Sequence, residues 1–221
     1  MENLIITGLL IRLDYCQRKK MGQFVLGVEE GGLHSAEAML LARYFMYVQV
    51  YFHPVRRVYD IHLKDFLKQW LKNGKYKTDL ESHLKMTDNE VTAAILKAAR
   101  SSSQAGHDSA SRIVNRNHFR VLYQRNPEDV SKNPEAAFSI FEATEKKFGI
   151  DFVRLDSYKQ KGSSVNFPVI TRDNRIIPSI TLSETLQRIP VVAVDYVYIS
   201  PLYRKEAERW LEKQRESIIK I

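Results

Sequence analysis

The sequence predicts a mainly α protein in which a helical body, residues 1–148, is followed by a small α+β region, residues 149–221. Between about residues 35 and 149, apolar residues recur at helical spacing and the interruptions are residues that end helices. After residue 149, the apolar segments become short and rich in β-branched and aromatic residues, which favours strands. A chain of 221 residues that is 44% hydrophobic can bury a core of this size.

The first predicted helix covers the run AEAMLLARYFMYVQVYFH, residues 36–53. This run is apolar on almost every face, as expected for a central helix surrounded by others, and Pro54 should end or kink it. The following segment, VRRVYDIHLKDFLKQWLKNG, carries one apolar stripe and stops at Asn73-Gly74. We therefore expect a buried central helix followed by an amphipathic surface helix.

Caps and turn residues mark the remaining elements. Thr87 and Glu90 form a capping-box pattern that begins a helix ending near Arg100. Further helices are predicted from about Ser109 to Tyr123, from Asn133-Pro134 to Gly149, and from Leu202 to Ile218. Between the last two lie the predicted strands IDFVRLDSY, VNFPVI and VVAVDYVYIS, with a turn at Asp173-Asn174.

The charge of the chain indicates its type of binding partner, and its cysteine content indicates its cellular compartment. The net charge of +8 and the pI near 9.5 favour an anionic partner, such as a nucleotide, a nucleic acid or an acidic protein. The single Cys16 cannot form an internal disulfide, and the N-terminus lacks the pattern of a signal sequence. Arg43 and Gln49 interrupt the longest apolar stretch, so it is not a membrane span. We expect a cytoplasmic protein that does not associate with a membrane.

Arg43 is the most informative residue because it lies within the nearly all-apolar helix, where a buried guanidinium requires an anion or a hydrogen-bonded carboxylate. Tyr47 and Tyr51 follow at i+4 and i+8, so the three side chains share one helix face. That face suits a phosphorylated sugar. Alternatively, Arg43 pairs with a structural carboxylate and both tyrosines are core residues.

Three segments carry a resemblance to a known family: EAMLLARYFMYVQVYFHPVRR, HLKMTDNEV and RIVNRNHFRVL. With Arg43, Tyr51 and His53 at their positions in the first segment, the sequence resembles HD-domain phosphohydrolases related to deoxynucleoside-triphosphate triphosphohydrolases, over residues 20 to 160. The resemblance implies that Arg43 binds a substrate phosphate, that Tyr51 contacts the deoxyribose, and that Tyr47 also faces the substrate. It further implies an oligomer whose ligands are deoxynucleoside triphosphates or other phosphorylated compounds.

The metal-binding motif of the resembled family does not occur in this sequence. In the family, two histidines and two aspartates hold a divalent metal ion that activates water, and their H…HD…D pattern lies upstream of the matched segments. His107-Asp108 spells the dipeptide, but it lies in the polar loop SSSQAGHDSAS, where Asp108 or Ser109 is better explained as a helix cap. His34 and Glu37 are too few to hold a metal. We predict no metal ligand and no catalytic residue in this chain.

A second basic stripe is formed by Arg112, Arg116 and Arg120, at i, i+4 and i+8 of the helix predicted over residues 109–123. Because like charges at this spacing repel, an anion opposite them would be stabilising. In allosteric members of the resembled family, basic residues that match Arg116 and Arg120 help bind an activating nucleotide between subunits. The stripe is therefore a candidate effector site, with a solvated or salt-bridged face as the alternative.

Two further groups of residues are interpreted as structural. The aromatic and basic residues of the C-terminal region could bind single-stranded nucleic acid, but packing of a small sheet against the terminal helix explains them better. They are Tyr158, Lys159, Lys161, Tyr196, Tyr198 and Tyr203. His62, His83 and His118 stand isolated among polar residues and are predicted to be exposed.

These patterns favour the C-terminal part of an HD-domain deoxynucleotide phosphohydrolase that contributes phosphate and sugar contacts but is inactive alone. The alternative is a non-catalytic nucleotide-binding or oligomerisation module. A nucleic-acid-binding protein is a third hypothesis, less favoured, which a steep salt dependence of binding would support.

Overall fold

A computed structural model describes residues 13–17, 24–159 and 166–220 of the chain. The residues form two compact units, each made from two separate stretches of sequence. The first unit contains the described residues of Met1–Tyr51 and Lys159–Ala193, and the second contains those of Phe52–Tyr158 and Val194–Ile221. Helices supply most of the regular structure and each unit adds a small sheet, which confirms the predicted mainly α class. No helix in the described ranges is both long and apolar enough to cross a membrane.

In chain order, the helices and strands are β1 (Leu13–Gln17), β2 (Phe24–Glu29), α1 (Leu33–Met46), α2 (Pro54–Trp70), α3 (Leu80–Lys85), α4 (Asp88–Ala99), α5 (His107–Val114), β3 (Arg120–Gln124), α6 (Pro127–Lys132), α7 (Ala136–Phe148), β4 (Val153–Lys159), β5 (Pro168–Ile170), β6 (Ile176–Pro178), α8 (Ser179–Leu182), α9 (Glu184–Arg188), β7 (Ala193–Ile199) and α10 (Arg204–Ile219). Short 3-10 turns cover Glu30–Gly32, Lys72–Gly74, Ile150–Phe152 and Pro201–Tyr203, and a π-helical turn covers Tyr47–Tyr51.

The sheet of the first unit has the strand order β1-β2-β5-β6, in which β2 and β5 are parallel and the other neighbours are antiparallel. The predicted turn at Asp173-Asn174 joins β5 to β6 and is confirmed. Asn174 has a left-handed φ of 63°, and its backbone N–H donates to the Thr171 carbonyl over 2.9 Å. Asparagine tolerates this conformation better than most residues, so the hairpin can close there.

Helix α1 packs in the first unit through its N-terminal half. Leu33 and Leu40 form a buried cluster with Val169 of β5 and Leu186 of α9. The prediction that this helix is buried on every side is wrong, because a helix packed from one direction leaves its other faces in solvent. The expected break at Pro54 is confirmed, since Pro54 is the first residue of α2.

Helix α2 of the second unit confirms the predicted amphipathic helix. His53 caps its N-terminus, with Nδ1 accepting the Val55 N–H over 3.3 Å. The buried stripe consists of Val58, His62 and Phe66. The predicted stop is also confirmed, since Asn73 and Gly74 have φ values of 56° and 65°, which a helix cannot contain.

Helices α4 and α5 pack on the C-terminal half of α2. The Thr87–Glu90 capping box is present at the start of α4, with the Thr87 N–H donating to Glu90 Oε2 over 2.9 Å. Ala98 of α4, Ala110 of α5 and Phe66 of α2 form one buried cluster. The close approach of these helices therefore depends on small residues opposite a large aromatic ring.

The predicted helix over residues 109–123 is wrong in its second half. Helix α5 ends at Val114, the chain turns at Arg116 with a left-handed φ of 56°, and residues 120–124 form strand β3. Strand β3 pairs antiparallel with β7, which places Val121 opposite Tyr198. The β-branched and aromatic residues of this segment pack well on a pleated surface, and pairing with β7 outweighs the apparent helical spacing of the arginines.

The sheet of the second unit has the order β3-β7-β4 and is covered by α7 and α10. Its core includes Tyr123, Ile140, Val153 and Val197. The predicted strands IDFVRLDSY and VVAVDYVYIS and the predicted terminal helix are confirmed as β4, β7 and α10. The predicted boundary between residues 148 and 149 does not coincide with the two units, because β4 and β7 share a sheet with β3 of the helical region.

Candidate functional site

Arg43, Tyr47 and Tyr51 form a row along the C-terminal end of α1 and the π-helical turn that continues it. The Arg43 guanidinium carbon lies 5.5 Å from the centre of the Tyr47 ring. The Tyr47 and Tyr51 ring centres are 5.4 Å apart, with the rings inclined by 52°. The three predicted site residues are therefore adjacent in space, one cation followed by two phenols.

The row lies at the surface, which corrects one premise of its prediction. Arg43 is exposed rather than buried, so water can solvate its charge and no compensating carboxylate is required. Tyr47 is half-buried and Tyr51 is 45% exposed. The π-helical turn over Tyr47–Tyr51 replaces the α-helical geometry that the sequence predicts there, and such turns occur frequently at functional sites.

Several large apolar side chains of the same stretch of sequence are also exposed. Phe45 is 53%, Met46 47% and Val50 46% exposed to solvent, and Met39 and Val48 are exposed to a similar degree. Single exposed apolar residues are ordinary, but five within residues 39–50 are a concentration typical of a surface that another polypeptide or a ligand covers.

The second predicted site does not form a helical stripe. Arg112 lies on α5, with its guanidinium carbon 4.7 Å from the centre of the Phe119 ring. Arg116 lies exposed in the turn after α5, and Arg120 is half-buried at the start of β3, where its Nη1 contacts the His118 ring. Because the helix ends at Val114, the i, i+4, i+8 relation of the three arginines is lost.

His62 and His118 are buried, so the prediction that they are exposed is wrong. His62 has no exposed surface, and its Nε2 accepts the backbone N–H of Phe119 over 3.2 Å. Burial and the positive charge of Arg112 lower the pKa of His62 to about 4. Burial and the neighbouring Arg120 lower the pKa of His118 as well. Histidines at these positions are neutral structural residues; His83, in contrast, is exposed as predicted.

The sequence gives no sign of the ion pair between Arg57 and Asp156, which lie on α2 and β4. Arg57 Nε and Nη2 donate to the two carboxylate oxygens over 2.7 and 2.5 Å. Phe52 and Tyr158 stack on each other with ring centres 4.6 Å apart, and Arg57 lies 5.6 and 5.8 Å from these two centres. This pair stabilises the contact of α2 with the sheet, and only the fold brings its members together.

Tyr196 and Tyr198 are structural, although they pack against the start of α2 rather than against the terminal helix as the sequence interpretation has it. Tyr196 and Tyr198 are 3% and 0% exposed, and their hydroxyls donate to the carbonyls of Phe52 and Pro54 over 3.0 and 2.9 Å. Lys161 lies outside the described residues. The hydroxyls of these two tyrosines are thus internal hydrogen-bond donors.

The two histidines considered as metal ligands, His107 and His34, make local contacts instead. His107 Nδ1 lies 2.8 Å from the Ala98 carbonyl oxygen, and His34 Nδ1 lies 2.8 Å from Glu37 Oε2. The predicted side-chain cap at Asp108 or Ser109 is wrong: the N-cap of α5 is Gly106, and Asp108 lies in the first turn. Within residues 25–159 and 166–220, no three His, Cys, Asp or Glu side chains converge on a point that could hold a metal ion.

Comparison with known proteins identifies the family. The model of the HD associated region matches residues 16–151, more than half of the chain. The chain belongs to the HD-associated-region family. The resemblance to HD-superfamily phosphohydrolases that the sequence predicts is thereby confirmed.

Solved structures show the same fold for this HD-associated region. A hypothetical protein from Aquifex aeolicus is 28% identical, with a TM-score of 0.70 over 92% of this chain and 50% of that one. A phosphohydrolase from Bacteroides thetaiotaomicron is 18% identical, with a TM-score of 0.55 over 79% of this chain and 52% of that one. The chain therefore spans about half the length of these two structures. Among curated proteins, none matches it significantly.

Proposed function

We propose that this HD-associated region is the C-terminal part of an HD-domain deoxynucleotide phosphohydrolase, in which Arg43 binds a substrate phosphate and Tyr51 and Tyr47 contact the sugar. The observation that carries the proposal is the row itself: a guanidinium 5.5 Å from the first of two adjacent tyrosine rings, on an accessible helix face. A guanidinium offers several donors to phosphate oxygens, and phenols offer both a hydroxyl and an apolar ring edge to a deoxyribose.

The exposed apolar side chains around the row support the same proposal. Phe45, Met46 and Val50 are each about half exposed, and covering them with a second polypeptide segment would be favourable by roughly 25 cal/mol per Å² of apolar area. Such a segment would also close one side of the row and exclude water from it. Arg43 and the two tyrosines would then form one wall of a nucleotide site, and the covering segment would supply the other.

We infer that the chain alone does not hydrolyse triphosphates. Metal-assisted phosphate hydrolysis needs several converging ligands, and the described side chains contain no such group. In the complete family enzyme, the divalent metal would activate water, while the residues of this chain would hold the phosphate and the sugar in position. The role of this chain is therefore positioning rather than bond cleavage.

An effector role for Arg116 and Arg120 is a separate part of the proposal. The exposed Arg116 lies within the short connection between α5 and β3, and the half-buried Arg120 is the first residue of β3. Both can present a positive charge to the phosphates of a second nucleotide without belonging to one helix. Replacing Arg116 with Ala should weaken any nucleotide binding that survives loss of Arg43.

The test uses the intact 221-residue chain with a panel of deoxynucleoside triphosphates and a divalent metal. We expect calorimetric binding without release of triphosphate, and a loss of affinity of about fivefold in Arg43→Ala, the size of one exposed charge-assisted contact. Arg188→Ala is the matched control, because Arg188 is an exposed arginine of the same unit that pairs with Glu184. Metal-dependent hydrolysis by the chain alone, or equal binding by Arg43→Ala and the wild type, would contradict the proposal.

A further inference from the structure

The segment between α2 and α4, residues 71–87, exposes two large apolar side chains on a short helix. Leu80 and Leu84 of α3 are 75% and 71% exposed. They lie four residues apart and therefore project from the same side of α3. Asp79 and Glu81 flank Leu80, so this outer face of α3 combines an apolar pair with negative charge.

The opposite side of α3 borders an open cleft of about 530 Å³. Its apolar lining is supplied by Trp70, Leu71, Tyr76 and Met86. Trp70 is held in place by stacking on Phe66, with ring centres 5.8 Å apart and the planes inclined by 14°. The cleft therefore has a rigid aromatic wall and enough volume for aliphatic side chains.

The charged residues that line this cleft are four lysines and one carboxylate, Glu90. Lys72, Lys75 and Lys77 come from the stretch that leads to α3, and Lys85 closes the side next to α3. Lys85 pairs with Glu81 over 2.6 Å on the exposed surface, a contact weak enough to rearrange. The segment is thus divided into a basic half with a cleft, residues 72–77, and an acidic half with two projecting leucines, residues 79–84.

The two halves carry opposite charges, and one offers an apolar cleft where the other exposes two leucines, but they lie on different sides of α3 and cannot combine within one segment. They can combine between two copies related by a two-fold axis, in which each copy gives its leucines and receives those of its partner. We propose that residues 71–87 form a self-complementary interface, in which Leu80 and Leu84 of one copy insert into the cleft beside Trp70 and Met86 of a second copy.

In this arrangement Asp79 and Glu81 of one copy lie against Lys72, Lys75 and Lys77 of the other. The apolar insertion supplies the affinity, since aliphatic side chains entering a desolvated pocket dominate interface energies. The charges select the orientation, because the reverse pairing would bring lysines against lysines. The interface belongs to the second unit and requires no nucleotide, so its failure would leave the proposed function untouched.

The experiment is sedimentation equilibrium of the full chain over a wide concentration range. The wild type should dimerise, and Leu80→Lys combined with Leu84→Lys should raise the dimer dissociation constant by roughly 100-fold. Because both leucines are exposed, this variant should fold normally, as circular dichroism can verify. Leu202→Lys is the matched control, since Leu202 is also 73% exposed but lies outside the segment, and it should dimerise like the wild type.

A charge exchange makes the test specific. The variant with Lys72, Lys75 and Lys77 changed to Glu should not dimerise alone, because its acidic rim repels Asp79 and Glu81. Mixed with the Leu80→Lys, Leu84→Lys variant, it should form a heterodimer, since the unchanged cleft then receives Leu80 and Leu84 while the two introduced lysines offset the repulsion at the acidic rim. A wild type that stays monomeric, or a dimer that both variants leave intact, overturns the proposal and assigns this face to another partner, such as an acidic protein or a nucleotide.

Discussion

Protonation of His62 should destabilise the second unit at mildly acidic pH. His62 is fully buried, its Nε2 accepts the Phe119 N–H, and its Nδ1 has no hydrogen-bond partner among the described residues. Burial, reinforced by the charge of Arg112, lowers its pKa from 6.5 to about 4. A proton added to the ring would therefore be a buried charge with a cation nearby.

The direction of the effect follows from the two pKa values. As the pH falls below 6.5, the unfolded chain takes up a proton at His62, whereas the folded chain does so only near pH 4. The unfolded state binds more protons in this window, so the free energy of unfolding decreases as the pH falls. Between pH 7 and pH 5 the loss attributable to His62 is about 2 kcal/mol, because each unit of unmatched protonation costs roughly 1.4 kcal/mol.

Urea unfolding at pH 7 and pH 5 measures this loss. Trp70 and Trp210, the two tryptophans of the chain, both lie in the second unit and report its unfolding by fluorescence. The pH dependence should be smaller by about 2 kcal/mol in His62→Gln than in the wild type. His118 titrates in the same direction but contributes equally to both proteins, and His83→Gln, at an exposed histidine, should behave like the wild type. An equal pH dependence in His62→Gln and the wild type would refute the reasoning.

Two substitutions test the packing of α2 on its neighbours. Arg57→Ala leaves the Asp156 carboxylate, whose side chain is 10% exposed, without its bidentate partner; it should cost about 3 kcal/mol of unfolding free energy, whereas Arg188→Ala at an exposed pair should cost less than about 0.5 kcal/mol. Gly106→Ala should lower the thermal midpoint and cost about 2 kcal/mol or more. Its φ is 79°, and a Cβ there would lie 2.7 Å from Phe66 Cδ2; a stability equal to that of the wild type would contradict this account.

The elements predicted correctly are those whose determinants lie within a few residues. The predicted break at Pro54 is confirmed, and the Thr87–Glu90 capping box lies where the sequence places it. Asn73-Gly74 and Asn174 adopt left-handed backbone at the predicted stops and turn. Such signals are sufficient because the relevant hydrogen bonds and steric limits are local, and tertiary contacts only reinforce them.

The segment after α5 was predicted wrongly because the strand that determines its structure lies far away in the sequence. Arginines at positions 112, 116 and 120 match a helical period, yet Arg116 occupies a left-handed turn and Arg120 begins a strand. The deciding partner is β7, which lies far away in the sequence and supplies both hydrogen bonds and the burial of Tyr198. A periodicity of polar residues alone carries no packing information, so it cannot outweigh a strand partner that the sequence does not reveal.

For the candidate site, the sequence predicts which residues meet but not how far they are buried. The spacing of Arg43, Tyr47 and Tyr51 places them in one row, as found. Their burial was inferred from apolar residues on every side of the helix, and those residues are partly exposed in the folded chain. The apolar pattern therefore predicts that the helix favours burial, but it does not say whether the same chain or another polypeptide covers it.

The degree to which this row is buried also determines how strongly Arg43 can bind an anion. On the exposed helix face, its guanidinium is hydrated and its attraction to a phosphate is screened by water and salt. If another polypeptide segment covers Phe45, Met46 and Val50, the local dielectric falls and each contact of the guanidinium with an anion becomes stronger. The loss of nucleotide affinity caused by Arg43→Ala should consequently be modest in this chain and considerably larger in an assembly that buries these apolar side chains. The ratio of the two affinity losses measures how much of the site this chain provides alone.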